Sequence, residues 1–263
     1  MLGIDFGTTY TGVAWTASPV PRSADIHLVK SWEGVQYVNA ERGKCPTVIS
    51  YPVGDGEILW GYNIPVDVKP IQWFKLLLLD EEDWEDHLQD AVQLHEARQA
   101  LAKLRKPALA VVADYLRCLW AHVLRAVENG CGPGVVRQSP FRIIITVPAI
   151  WKSYTRERMR QAASLAGLLD PRGPDREPSD LDFISEPEAA AIATFADFQG
   201  GFAARVQVRL QATVGHLTAN GYRRKEIQSQ LWTQEAVRWY GLSLILVKTG
   251  AQLTSPRISL VTA

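Results

Sequence analysis

The chain has 263 residues, 47% of them hydrophobic and 21% charged, with 28 basic and 28 acidic side chains. That length holds one large domain or two small ones, and the composition is that of a globular protein and excludes a disordered one. Zero net charge removes any global attraction to nucleic acid or membrane surfaces. It also conceals an imbalance: residues 200–263 hold eight Lys or Arg against two Glu and no Asp, which leaves 20 basic and 26 acidic residues in 1–199.

Three cysteines (Cys45, Cys118 and Cys131), with no Cys-x-x-Cys pair and no signal peptide, predict a reducing, cytoplasmic setting. The histidines are scattered and show no metal-ligand spacing. Leu76 to Leu79 is the strongest apolar run and is far too short to span a bilayer, so no membrane partner is expected.

In chain order, Leu2 to Phe6 reads as a short apolar strand carrying one carboxylate, Asp5. Gly7-Thr8-Thr9 makes a tight turn, and Thr11 to Ala17 runs back as a second strand. Such a hairpin offers backbone N–H groups and two hydroxyls to an anion, with a carboxylate placed to hold a cation. A purely structural hairpin needs neither the adjacent threonines nor the strand aspartate. The pattern points to a phosphate tail and its magnesium. Ile26 to Ser31 reads as a third strand. A second hairpin runs from Cys45 to Tyr51, turns at Gly54-Asp55-Gly56 and returns over Glu57 to Gly61. Residues 65–75 read as a loop leading to a short helix.

Residues 81–106 are acidic at the start and basic at the end, the polarity that complements a helix dipole. From 108 to 129 apolar residues recur at helical spacing (Leu109, Val112, Leu116, Leu119, Val123, Val127), and Gly130 supplies a helix stop. Phe141 to Val147 is a nearly continuous apolar strand, the pattern of a sheet covered on both faces. Pro148 ends it and Thr155 to Leu169 reads as a helix. After a Pro- and charge-rich loop over 170–180, Leu181 to Ile184 is another buried strand. Ser185-Glu186-Pro187 then opens a small-residue helix from Glu188 to about Phe198. This strand, turn and helix bring Glu186 to the C-terminal edge of the sheet, where α/β folds hold their ligands.

With these residues in hand, the chain resembles the seventy-kilodalton heat-shock chaperones, in particular a divergent fungal-type branch of them, within the superfamily that includes actin and sugar kinases. The opening segment is similar to the family's first phosphate loop. Phe141 to Trp151 is similar to its strand ending in Thr-Val-Pro-Ala, and Phe183 to Ala193 to its first connecting motif. The resemblance covers about residues 2–198. It implies an α/β fold: the first lobe of an actin-like (ribonuclease H-like) ATPase domain over 1–199, with a small inserted α+β subdomain at about 43–108. ATP or ADP with Mg is the implied ligand. Asp5 would order magnesium-bound water, Gly7, Thr8, Thr9 and Tyr10 would line the phosphates, and Glu186 would position the attacking water or the metal shell. Pro148 and Arg156 match the residues with which the family couples nucleotide state to its peptide-binding domain. Read on their own, Pro148 is also a strand stop and Arg156 a solvated helix arginine.

Two departures bear on activity. The family's catalytic lysine lies in a Gly-x-x-x-Lys context after the second hairpin, and Gly61-Tyr62-Asn63-Ile64-Pro65 puts proline there. Lys69 and Lys75 are nearby, but their spacing gives no support. After Asp197 no second phosphate loop follows, since Gly200-Gly201 is followed by Phe202. The implied protein is therefore an ATP-binding chaperone-type domain truncated after its first lobe, with weak or no hydrolysis and a lobe face open to a co-chaperone or other protein partner. Residues 200–263 form a basic tail outside the resemblance. Gly221 to Leu231 has a faint helix-turn-helix character, but no recognition-helix pattern is clear and nucleic acid is not the expected partner. A non-enzymatic scaffold that retains the lobe is the alternative from another class. The sugar-kinase alternative is disfavoured by Glu186-Pro187-Glu188-Ala189-Ala190-Ala191, a helix start of the chaperone branch.

Overall fold

Alternation of side chains builds the first strand. In β1 (Leu2–Phe6) the side chains of Leu2, Ile4 and Phe6 enter the main core, so Asp5 falls on the opposite face. The structure, a computed structural model, describes residues 1–18, 25–34, 43–52, 54, 56–138, 140–173 and 176–197. The expectations about the tail and the missing second phosphate loop lie outside the described residues.

β2 (Tyr10–Trp15) returns antiparallel to β1, with Gly12 opposite Asp5. β3 (His27–Leu28) pairs with the far end of β2. The region expected as one strand from Cys45 to Tyr51 divides at Thr47. β4 (Lys44–Pro46) joins β2, placing Lys44 opposite Gly12, while β5 (Val48–Ser50) starts a second sheet with β6 (Leu59–Trp60) and β7 (Ile71–Gln72). The buried Thr11 and Thr47 hydroxyls, 2.8 Å apart, fasten the point of division.

The charge-polarised stretch 81–106 is not one helix. It becomes helical only at α1 (Asp86–Gln89) and, after a break, at α2 (Val92–Leu104). α3 (Ala108–Cys131) buries Val112, Leu116, Leu119, Val123 and Val127 as its periodicity predicts. Gly130 does not stop it. That glycine lies inside the helix because a Cβ there would press into the Trp15 ring, and the stop falls at Gly132, φ 90°. α4 (Pro133–Gln138) precedes β8 (Arg142–Val147), which lies parallel to β1. α5 (Ser153–Leu165) connects to β9 (Asp180–Ser185), parallel to β8. α6 (Glu186–Asp197) begins two residues earlier than expected because the Ser185 hydroxyl accepts the Glu188 N–H at 3.3 Å, closing the first turn around Glu186 and Pro187.

The main sheet runs β3-β2-β1-β8-β9, with β4 also on β2. α3 and α5 cover the face of Leu2, Ile4, Phe6, Ile143 and Ile145, while Ala189 of α6 packs on Ile144 from the other side. Two covered faces explain why β8 reads as an unbroken apolar run. Among the described residues, no single helix is long and apolar enough to cross a membrane.

Candidate nucleotide-phosphate site

Because β1, β8 and β9 run parallel, their carboxyl ends share one edge of the sheet. The Gly7-Thr8-Thr9 turn leaves β1 there, Pro148 leaves β8, and Glu186 leaves β9. This edge is where open α/β sheets bind ligands. The turn is tight: the Gly7 N–H lies 3.1 Å from the Tyr10 carbonyl, and a side chain at position 7 would collide with that same carbonyl oxygen. Thr8 is half-buried, whereas Thr9 and Tyr10 are exposed and available to a ligand. The turn is tied down from behind, because the Thr47 N–H donates to the Thr9 carbonyl at 2.9 Å.

Asp5 is buried on the α6 face of the sheet and makes two contacts. Its Oδ1 accepts the Thr146 hydroxyl at 2.9 Å, and its Oδ2 receives Lys44 Nζ at 2.6 Å. Sheet register explains both. Thr146 is the next residue along the β1–β8 ladder, in which Ile4 faces Ile145, and Lys44, Gly12 and Asp5 form a row across β4, β2 and β1. That row spans on the order of 10 Å. With no side chain on Gly12, the lysine passes over β2 to the carboxylate. The lysine's backbone is held as well, since the Tyr62 hydroxyl donates to the Lys44 carbonyl at 3.2 Å. On the core side of β4, burial pushes the Cys45 thiol up to about 12, which leaves it unreactive.

The second pair involves one of the two lysines that lie near the proline at position 65. Pro65 is half-buried, and Lys69 is an exposed partner of Glu96. Lys75, by contrast, is 1% exposed and places Nζ 3.2 Å from Glu186 Oε1. Its ammonium also lies 5.6 Å from the Phe6 ring centroid and 5.2 Å from that of Trp151. It therefore touches residues at or just beyond the ends of β1, β8 and β9 together. A lysine is tolerated so deep only when a carboxylate or aromatic faces take up its charge, and here both do.

Lys75 sits in a 3-10 turn over Phe74–Leu78 that opens at Trp73 in a left-handed conformation, φ 64°. A bulky residue is strained there, so the segment needs outside support. α5 supplies it. Arg158 Nη1 donates to the Leu78 carbonyl at 2.8 Å and to Asp80 Oδ1 at 2.9 Å, and the Tyr154 hydroxyl donates to Asp83 Oδ2 at 2.6 Å. Lys152 also pairs with Asp83, and these donors hold the Asp83 carboxyl below the usual carboxylate range.

Of the residues expected at the site, Gly7, Thr8, Thr9, Tyr10, Pro148 and Glu186 lie at the shared edge, and Asp5 lies just inside it. Arg156 is exposed on α5, two positions from the clamp residues Tyr154 and Arg158. Lys44 and Thr146, which contact Asp5, escaped the sequence reading, and Lys75, which contacts Glu186, was named there but set aside on spacing. Lys44 becomes visible only through its register with Gly12. Lys75 carried a signal of another kind, a lone cation between Phe74 and the apolar run Leu76 to Leu79. Among the described residues, no group of three or more His, Cys, Asp or Glu side chains is placed to hold a metal.

A mixed sheet with helices on both faces and a phosphate-type turn at its carboxyl edge defines an α/β fold consistent with an actin-like ATPase-type domain. Over 196 residues, 73% of the chain, it is 31% identical to human heat shock 70 kDa protein 12B. Over 195 residues it is 29% identical to heat shock 70 kDa protein 12A of human and of mouse. These similarities support an Hsp70-like relationship. The chain spans 27% to 28% of the length of these curated relatives. No family model matches the chain.

Proposed function

We propose that residues 1–197 are the phosphate-gripping part of an Hsp70-like nucleotide-binding domain, and that the chain binds ATP or ADP at the edge formed by β1, β8 and β9. The observation that carries this reading is the pair of lysine–carboxylate contacts, Asp5 with Lys44 and Glu186 with Lys75, flanking the Gly7-Thr8-Thr9 turn. A fold with no anion to hold has little reason to bury Lys75 beside a phosphate-type turn.

In this reading the turn amides and the Thr8 and Thr9 hydroxyls hold phosphate oxygens, and Lys75 supplies positive charge from below. In phosphoryl transfer to water, positioning and electrostatic stabilisation carry the reaction, so Glu186 orients the attacking water while Lys75 fixes the carboxylate. Lys75 bears on the expectation of weak or no hydrolysis, since it sets beside Glu186 a buried cation that position 65 does not supply. Tyr10 and Ile150, at the same edge, remain 45% and 59% exposed, which supports a polypeptide partner over this face.

Titration calorimetry and a thermal-shift assay with ATP test the reading. Heat of binding and a raised Tm are expected. No heat and no shift at millimolar nucleotide, with and without magnesium, would overturn it.

A further inference from the structure

Magnesium is the cation expected at Asp5, and the residues around that carboxylate do not fit it. Mg²⁺ asks for near-octahedral oxygen ligands and keeps most of its waters, usually through one or two carboxylates free to accept from them. Asp5 is not free. Oδ1 is taken by the Thr146 hydroxyl and Oδ2 by the Lys44 ammonium, at 2.9 and 2.6 Å. The other carboxylate of the site, Glu186, already faces Lys75. A dication brought to Asp5 would meet a fixed ammonium on the same oxygen.

Lys44 is also built in and not a surface arm that swings onto Asp5 by chance. Its strand is registered on β2 by Thr11 with Cys45 and Gly12 with Lys44, its carbonyl accepts the Tyr62 hydroxyl, and Thr47 joins its strand to the phosphate turn. Four-fifths of the Lys44 side chain is buried (20% exposed), as is nine-tenths of Asp5's (10% exposed). An ammonium carries three N–H donors. One goes to Asp5, leaving others for an oxyanion held by the adjacent turn.

We propose that Lys44 is a tethered cation that takes the place of the divalent metal at Asp5, so that this site binds nucleotide phosphates without requiring magnesium. Asp5 orients and partly neutralises the lysine, Thr146 fixes Asp5, and Gly12 leaves the path between them open. The ligand class is thus a nucleoside di- or triphosphate in its metal-free form. The proposal rests on the nucleotide reading above.

Two measurements on the full chain keep the two ideas apart. In the first, calorimetry compares ATP in EDTA with ATP in excess magnesium. The wild type is expected to bind both within about threefold, while Lys44→Met should lose roughly tenfold or more in EDTA and recover part of it with magnesium. Wild-type binding that collapses in EDTA, or Lys44→Met with an unchanged magnesium dependence, would overturn the role of Lys44 and leave the nucleotide reading standing. The second measurement uses no nucleotide. Manganese uptake is followed by electron paramagnetic resonance in wild type, Lys44→Met and the Lys44→Met/Asp5→Asn double variant. Uptake by Lys44→Met alone supports the proposal, whether or not ATP binds. Asp5-dependent uptake by the wild type, or no uptake by Lys44→Met, overturns it. Far-ultraviolet circular dichroism of each variant confirms that it is folded.

Discussion

Two regions of the molecule bury a carboxylate against a lysine, and they do so to different ends. Near the start of α3, Asp114 is saturated: Tyr51 and Lys106 both reach its Oδ2 at 2.8 Å, and Arg117 reaches Oδ1 at 2.6 Å. Burial works against its charged form, but the three donors outweigh it and hold the carboxyl below the usual range. At the sheet edge Glu186 faces Lys75, its side chain is still 35% exposed, and Asp5 has two contacts beside an open turn. A saturated carboxylate joins elements of the fold. A lysine held against a carboxylate beside a turn that exposes hydroxyls is a cation placed for a ligand.

The sharpest way to break this contrast is a matched pair of substitutions. Asp114→Ala strands the Tyr51 hydroxyl and two cations, and should lower stability by about 2 kcal/mol in urea melts while leaving ATP affinity unchanged. Lys75→Met removes a buried charge at nearly constant volume and leaves Glu186 partly solvated, so stability should move by less than about 1 kcal/mol. ATP affinity should nevertheless fall roughly tenfold or more by calorimetry. If Lys75→Met unfolds the chain and Asp114→Ala abolishes binding, the assignment of roles is inverted.

A smaller effect should come from the clamp on the Lys75 turn. Arg158→Ala frees the Leu78 carbonyl and Asp80, and should raise the acetylation rate of Lys75 measured by mass spectrometry, with exposed Lys69 as a control that stays unchanged. ATP affinity should drop by about threefold, and Arg158→Lys should restore part of it. Equal acetylation of Lys75 in wild type and variant would show that α5 does not position it.

Much of the frame was legible. The Leu2 to Phe6 strand, the long α3 periodicity, the doubly covered β8 and the Ser185-Glu186-Pro187 helix start each announce themselves in local pattern and turn chemistry. The second hairpin was legible only in outline, because the switch of sheet at Thr47 depends on a hydroxyl contact with Thr11, 36 positions away. Gly130 was misread for a related reason: a glycine near a helix end resembles a stop, but this one is required by a tryptophan on β2. Lys75 failed on spacing. Its place is set by the strained Trp73 turn and by Arg158, neither of which leaves a mark within the local sequence.

The mildest expected effect concerns the aromatic core. His122 is buried and stacks on Trp32 at 4.9 Å. Burial lowers its pKa from the ordinary 6.5, with the Glu33–Arg125 pair nearby contributing in opposite directions. A histidine whose folded pKa is depressed contributes full stability above the unfolded value and loses it as pH falls below about 6.5, until the folded pKa is passed. The urea midpoint should therefore decline between pH 7.5 and 5.5, and His122→Phe should flatten that slope. A slope unchanged by His122→Phe would assign the decline to other groups.

Gly12 makes no hydrogen bond through a side chain, carries no charge and is not expected to touch the ligand, yet the Lys44–Asp5 contact exists because nothing stands between them. If Lys44 replaces the metal as proposed, the electrolyte requirement of the site hangs on a position with no chemistry of its own. On that proposal a side chain at position 12 would stand in the row between Lys44 and Asp5 and act as a spacer.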